Sequence, residues 1–548
     1  MTPAFSLSRR HLLAGGTAVA GAALLGGCAS GSDTTDSDEA NRAVTLPAYV
    51  PYEGVKPDLA STDEAVMPGF LSYPKGDVTA TEGKPLASGK PLTILTNTNV
   101  QLPPPLAQNK YWQAINEAAG AELQFTMATA ADYTAKLTVV IAGDDLPEVV
   151  ALRPIGDLPK LLEARFTNLT EHLSGDAIKK YPNLANIPTI SWRSCIFNGG
   201  IYGIPLNRPA AAGEMHARLD VIKARGANPE PKSYAEFLEM CRTVNDPKRN
   251  RYAMGSPAST INFLKEMLGL PLGWGVDDAG KFTHVAEREE FKQILDAVSQ
   301  QWNEGLFHPD SFTQETLLAQ WVGTGVVAVN NGGAGSVSGY YTTYSANNPD
   351  MEMGILVPPK WDGGGDGTKL MGPAIYGGPI AITKTTPERL DEILSFFNWL
   401  ASPFGTVEHR LLSYGVEGHD FDYQDGDPVR SQTGVREVTL PVNYTGSAPV
   451  VNFTPGRPET TKQYHAYQER CAKNKLAMAT QGLYSPHPAV RRRGAGQEPD
   501  RRDQRRGHRA EEAGRLRCGA VLVPLRWRGH DQDRVPGSLR RHAVTNFV

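Results

Sequence analysis

The chain has 548 residues, 40% hydrophobic and 21% charged, and a formal net charge of −4. That length is more than one compact core serves, so two or three domains are expected. The composition is ordinary for soluble globular protein, and the near-balanced charge excludes a chain-wide bias toward nucleic acid.

The opening residues read as an export address. Ser8-Arg9-Arg10 precede an apolar, small-residue run from Leu12 to Leu25, which ends Leu25-Gly26-Gly27-Cys28. A run of about fourteen residues is too short for a hydrocarbon core that takes about twenty. Residues 1–27 therefore read as a cleavable signal peptide rather than a membrane span. Arg9 and Arg10 resemble a twin-arginine export signal. Leu-Gly-Gly-Cys resembles the lipobox of bacterial lipoproteins, which makes Cys28 the lipidation site. The mature chain is then extracellular, held by a lipid anchor on the outer face of the cytoplasmic membrane. Residues 28–43, rich in Ser, Thr, Asp and Gly, read as a flexible tether. Residues 44–90 are Pro-rich and read as an extended wrapping segment.

Regular alternation begins at Pro91. Leu92–Thr96 is a short β-branched strand, Tyr111–Ala119 a helix, Leu123–Met127 an alternating strand, Ala131–Ala142 a helix, and Pro147–Leu152 a third strand. Strand–helix–strand succession at this spacing predicts a parallel α/β lobe. A hairpin-like stretch, Ile196–Pro205, follows. Ser233 caps a helix running to Val244. Glu289–Gly305 is amphipathic, with Phe291, Ile294, Leu295, Val298 and Trp302 on one face. Val326–Val329 and Pro379–Ile382 are further strands, and Arg389–Leu400 a helix. Trp302 and Trp399 fall on apolar helix faces and read as core.

Several phrases, taken in order, resemble one family. Gly200-Ile201-Tyr202-Gly203-Ile204-Pro205, Arg218-Leu219-Asp220 with Ala224–Phe237, Trp302–Asp310, and Gly415-Val416-Glu417-Gly418 are similar to segments of bacterial extracellular solute-binding proteins, the lipoprotein components of ABC importers, in a carbohydrate-type subgroup. The resemblance spans about residues 90–485. It implies a two-lobed α/β fold of the periplasmic-binding-protein type II, with hinge crossovers and an inter-lobe cleft. Residues 91–207 form the first lobe and 208–370 mainly the second, with crossover and closing helices over 371–486. The chain is expected to cross near Tyr202–Arg208 and again after 330. The implied partners are a small polar ligand, of the sugar class, and the permease subunits of an importer. A monomer with no cofactor is expected.

Ligands in open α/β sheets sit off the carboxyl ends of strands. That rule selects Asn97 and Asn99 past the first strand and Arg153 past the third, against turn chemistry and a surface ion pair as alternatives. Asn207 and Arg208 follow the crossover strand, with hinge packing as the alternative. Trp274 lies between glycines in a loop. Asn330 and Asn331 end the Val326 strand, and Tyr340 and Tyr341 follow. Tyr376 lies on a loop that the resemblance associates with ligand contacts. HExxH, GxSxG and Walker patterns are absent. The acidic run Asp420–Asp427 breaks calcium-loop spacing at Gln424 and reads as a turn, so no metal site is expected.

Cys28, Cys195, Cys241, Cys471 and Cys518 form no CxxC pair, and those other than Cys28 read as buried small hydrophobes. From His487 onward the composition changes to about fifteen Arg, no Lys and about seven acids. A basic interaction tail is one explanation. A frameshift in GC-rich codons, which yields this mixture of Arg, Gly, Pro and Ala over 487–548, is preferred. The leading function is capture of a carbohydrate or similar solute without chemistry on it. The competing one is an exported glycoside hydrolase.

Overall fold

The computed structural model describes residues 38–276, 281–314, 317–333 and 335–479, together with a two-stranded hairpin at Arg515–Cys518 and Val521–Pro524. Arg9, Arg10 and Cys28, and the remainder of the segment from 487, lie outside the described residues. Two four-stranded sheets organise the chain. The first holds β1 (Leu92–Thr98), β2 (Leu123–Thr129), β3 (Val149–Ala151) and β8 (Ile380–Ile382). The second holds β4 (Glu214–Arg218), β5 (Tyr252–Met254), β6 (Val327–Gly332) and β7 (Met353–Leu356).

In the first sheet the order is β8-β3-β1-β2. β1 runs parallel to both β2 and β3, and β8 is antiparallel to β3. In the second the order is β7-β4-β6-β5, with β6 parallel to β5 and antiparallel to β4. Each sheet has its own apolar core. Ile94, Leu95, Val149, Ile380 and Phe396 belong to one, and Met215, Ala253, Phe263, Ile294 and Val329 to the other.

The helices fall where local chemistry puts them. α1 (Lys110–Ala119) begins at Asn109, whose side chain accepts from Trp112 N, and stops at Gly120 in the left-handed region. α2 (Ala130–Ala142) returns the chain to β3. Its Tyr133 hydroxyl lies 2.6 Å from Ala151 O and 3.1 Å from Leu95 O, fastening the helix over β1 and β3. α3 (Tyr234–Val244) is capped by Ser233, as its sequence predicts. α4 is Pro257–Leu268, and α5 is Glu289–Asn303. Phe291, Ile294 and Val298 of α5 are buried, with Leu295 and Trp302 partly buried beside them, which is the predicted face. Trp399, on α6 (Pro387–Leu400), lies in the first core. Cys195, Cys241 and Cys471 are buried free thiols.

An antiparallel ribbon joins the two sheets. Residues 204–212 pair with 370–380: Ile204 and Ile380 exchange backbone bonds of 3.0 Å in both directions. Tyr376 N donates to Leu206 O at 3.0 Å, Arg208 N to Ala374 O at 3.0 Å, and Ala212 N to Leu370 O at 2.9 Å. Gly203 enters this ribbon at φ +150, where a Cβ would sit 2.8 Å from Ile380 O. Residues near 441–452 run alongside it, and α7 (Pro458–Ala472) then packs against the second sheet.

One expectation is corrected. The tether expected over 28–43 ends early, because Asp38–Ala43 forms a short helix. The Asn41 side chain, which accepts from Gly199 N at 2.8 Å, docks it on the Ile196–Ile201 hairpin. Beyond it the chain to residue 90 is extended along the fold, with backbone bonds from Ala48 to Gly175, Phe70 to Asn452 and Leu86 to Ala119. Among the described residues no helix is long and apolar enough to cross a membrane.

Arg389 clamps α6 to the first sheet. Its guanidinium donates to both Glu148 oxygens (2.9 and 3.1 Å), to Glu392 (3.0 Å) and to Pro91 O (2.8 Å). Burial alone would raise the Glu148 pKa, but the Arg389 bonds and charge hold it below the ordinary glutamate value. Arg389→Met should cost on the order of 2 kcal/mol at neutral pH, since the carboxylate is left largely buried without its partner. A group with a lowered folded-state pKa contributes its full stability above the unfolded value, about 4.3, and loses it as pH falls through the folded one. Urea unfolding across pH should therefore show the gap between native and variant closing below about pH 4. A gap constant down to pH 3 would contradict this role.

Candidate functional site

In the first sheet the chain steps from β1 to β2 on one side, then crosses back to β3 on the other. The carboxyl ends of β1 and β3 therefore diverge at a topological switch point, where a crevice opens. Asn97 lies near the end of β1, Asn99 just past it, and Arg153 two residues beyond β3. The ribbon brings Tyr376 over the same edge. Its hydroxyl lies 2.9 Å from Asn97 Nδ2 and 2.9 Å from Asn99 Nδ2. Arg153 donates to Asn97 Oδ1 and, at 3.2 Å, to Leu152 O. Its guanidinium carbon stands 4.8 Å from the Tyr376 ring centroid and 5.4 Å from that of Tyr133.

Arg208 reaches the same ring from the ribbon, with its guanidinium carbon 5.9 Å from the centroids of both Tyr376 and Tyr444. It donates to Asn207 O (2.7 Å), Asn443 O (3.1 Å) and Ser447 Oγ (3.2 Å). Burial pulls its pKa down from the ordinary arginine value, with the two tyrosines opposing. Tyr444 packs edge-on to Tyr376 at 5.4 Å, and its carbonyl accepts from Thr96 Oγ1 at 2.9 Å, which seats the Pro441–Tyr444 turn on β1. Burial raises the Tyr444 pKa while Arg208 lowers it. The result is a half-buried aromatic pair flanked by two guanidinium groups and two carboxamides. Such a set can stack on apolar ring faces and exchange hydrogen bonds with hydroxyls or an anion.

Five sequence-derived residues thus meet: Asn97, Asn99, Arg153, Arg208 and Tyr376. Asn207 turns inward instead. It is 5% exposed, donates to Ser191 Oγ at 2.9 Å and accepts from Val450 N at 3.4 Å, which is hinge packing. Trp274 lies not in an open loop but on a short strand paired with Phe282–His284, half-buried and edge-on to His284. Tyr340 packs in an apolar cluster with Trp321, Val337 and Met351 and against His216, and burial pushes its pKa up to about 12. Asn331, paired with Met215 in the second sheet, is 7% exposed and its Nδ2 has no hydrogen-bond partner. None of these three is hydrogen-bonded to, or in ring contact with, the Tyr376 group among the described residues.

Near Asn331 lie further buried polar groups. The Tyr464 hydroxyl donates to Glu214, while Glu214 Oε1 and both His216 ring nitrogens have no hydrogen-bond partner, His216 Nε2 lying 3.8 Å from Glu214 Oε2. Tyr444 and this second-lobe set were missed by sequence reasoning. For Tyr444 the available signal was an aromatic residue in a Pro-initiated turn, Pro441-Val442-Asn443-Tyr444. A separate cavity of about 400 Å³, bounded by Pro231, Ile355, Gln463, Tyr467 and Arg470, contains none of the sequence-derived residues.

The Asp420–Asp427 run forms a hairpin, Phe421–Gln424 against Asp427–Arg430, turned by Asp425 and Gly426, both with positive φ. Beside it His419, Asp420 and Glu437 gather their ligand-type atoms within 4.8 Å, the arrangement nearest to a metal centre among the described residues. Two of the three are already engaged with backbone. Asp420 Oδ2 accepts from Val416 N at 2.8 Å, and Glu437 from Lys110 N at 2.8 Å, so the group pins this hairpin to the start of α1.

Residues 110–409 match the sequence profile of bacterial extracellular solute-binding proteins. The chain belongs to that family. It is 24% identical over 389 residues to the polygalacturonan/rhamnogalacturonan-binding protein YtcQ of Bacillus subtilis strain 168, a match covering 67% of this chain and 75% of that one. In fold it is similar to the N-glycan transport solute binding protein NgtS of Streptococcus pneumoniae, with a TM-score of 0.51 and 14% identity over 72% of this chain and 85% of that one. The alginate-binding protein AlgQ2 gives a TM-score of 0.49 at 17% identity over 73% and 84% of the two chains. The two-lobed type II architecture expected from sequence is thus the one this solute-binding protein has.

Asn97 is fully buried, so the Tyr376 hydroxyl is a necessary partner for its amide. Tyr376→Phe should lower stability by about 1–3 kcal/mol through the orphaned amide. Chemical denaturation of the ligand-free protein reads this, and an unchanged midpoint would show that the hydroxyl is not needed there.

Proposed function

We propose that this solute-binding protein captures a carbohydrate at the seam between β1, β3 and the ribbon, and presents it to the permease of an ABC-type importer. The observation that carries this reading is the convergence of Tyr376, Tyr444, Asn97, Asn99, Arg153 and Arg208 from segments up to about 350 residues apart. Aromatic faces beside planar polar groups suit a sugar, whose rings present apolar faces and whose edges carry hydroxyls. The relatives support it: one is named for binding polygalacturonan and another for N-glycan transport.

Capture proceeds without chemistry on the ligand. Hydrolysis of a glycoside needs two carboxyl groups facing each other about 5–10 Å apart. The matched family and the named relative are described as binding proteins. Because the site includes both a lobe and the ribbon, a ligand that also meets the second lobe stabilises the closed arrangement by those added contacts. The protein acts as a monomer tethered outside the membrane through a lipid on Cys28, after export directed by Arg9 and Arg10.

A thermal-shift screen against oligosaccharides tests this. A ligand of the folded state alone should raise Tm progressively with its concentration, by an amount set by RT ln(1 + [L]/Kd). Tyr376→Ala should weaken the binding at least tenfold, an effect on the order of 1.4 kcal/mol. Turnover of a chromogenic glycoside, or no shift with any glycan, would remove the proposal.

A further inference from the structure

The charges around Tyr376 are unbalanced. Arg153 and Arg208 both lie against one ring, and among the described residues neither forms an ion pair with a carboxylate. Their acceptors are Asn97 Oδ1, Ser447 Oγ and the carbonyls of Leu152, Asn207 and Asn443, all uncharged. Among the described residues Arg430 too has only an uncharged acceptor, the Ser413 carbonyl, whereas two other shielded arginines are neutralised. Arg218 pairs with Asp220, and Arg389 with Glu148 and Glu392. A shielded guanidinium without a counter-charge loses hydration, a cost that an anion in contact with it removes.

The guanidinium geometry points the same way. An arginine has five N–H donors in a planar fork. Arg153 commits one hydrogen of each terminal nitrogen, and Arg208 commits three hydrogens in all. Each keeps at least two N–H donors uncommitted, and a guanidinium can offer a carboxylate the parallel two-bond contact that a hydroxyl cannot accept. The remaining groups, Asn99 and the two tyrosines, are neutral and suit the rest of a sugar ring, while the fully buried Asn97 positions Tyr376 and Arg153.

From this we infer that the site selects an acidic glycan, one whose sugar rings carry carboxylates, over a neutral glycan of the same shape. The inference rests on the carbohydrate reading above and narrows it to a charge class. Arg153 and Arg208 are its specificity determinants. Arg153 is fixed by β3 and Arg208 by the ribbon, so an oligomer with a carboxylate on successive rings can engage both.

The probes that test it are an oligogalacturonate and its fully methyl-esterified form, equal in length and differing in charge, titrated calorimetrically into the full chain. The acid should bind at least tenfold more tightly than the ester, and the ratio should shrink as salt rises. Arg153→Gln and Arg208→Gln should each bring the acid-to-ester ratio toward one. Arg208→Lys, which keeps the charge and loses the fork, should retain part of it. Ligand-free melting of each variant checks that it is folded. Equal or tighter binding of the ester, or variants that weaken acid and ester alike, would overturn the inference. If neutral glycans bind and the acid does not, the charge class is wrong while the carbohydrate reading stands. If no glycan of either kind binds, the carbohydrate reading fails with it.

Discussion

The site depends on the register of one antiparallel ribbon. Asn207 faces Ile375 across it, so Leu206 faces Tyr376 and Arg208 faces Ala374. Side chains alternate between faces along each strand. Arg208 and Tyr376 are therefore diagonal neighbours on one face, and Asn207 points to the other, into Ser191. A slip of one residue would exchange Arg208 for Asn207 and dismantle the group. The paired backbone bonds from Ile204 to Ala212 resist such a slip, and they also carry the chain between the two sheets. One element thus serves as the joint and as one wall of the proposed binding site.

The second constraint is the strand order of the first sheet. Because β1 lies between β2 and β3, its carboxyl end and that of β3 border the same crevice. Two short side chains and an arginine placed there by sequence then need only a cover, which the ribbon provides with Tyr376. Tyr444 arrives by a different route, on a turn held to β1 through Thr96. Among the described residues no hydrogen bond or ring contact joins the second lobe to this group. That lobe's buried Asn331, His216 and Glu214 retain polar atoms without a hydrogen bond, an arrangement that is costly and rare in folded proteins.

Much of this was legible in the residues. Apolar periodicity and capping located the helices from Lys110, Tyr234 and Glu289 and the strands from Leu92, Leu123 and Val327 to within three residues at either end. The strand-end rule alone selects Asn97, Asn99 and Arg153, which lie at the ends of β1 and β3. What could not be read was pairing over long sequence separations. Asn97 and Tyr376 are 279 positions apart, and no local pattern encodes their bond. The surroundings of Trp274 and Tyr340 were hidden for a related reason. A flanking glycine or a nearby strand end signals a loop, but whether an aromatic ring there meets solvent or core is decided by neighbours such as His284, Trp321 and Met351. Tyr444 was missed because its turn is brief and acquires meaning only once seated on β1.

The central claim is that a ligand at this seam changes how far apart the two lobes stand. Small-angle X-ray scattering of the full chain, with and without a saturating glycan chosen by thermal shift, tests it most directly. The account predicts a smaller radius of gyration in the bound state, because contacts with both lobes favour the closed arrangement. A ligand that binds at the Tyr376 group and leaves the scattering profile unchanged would contradict it.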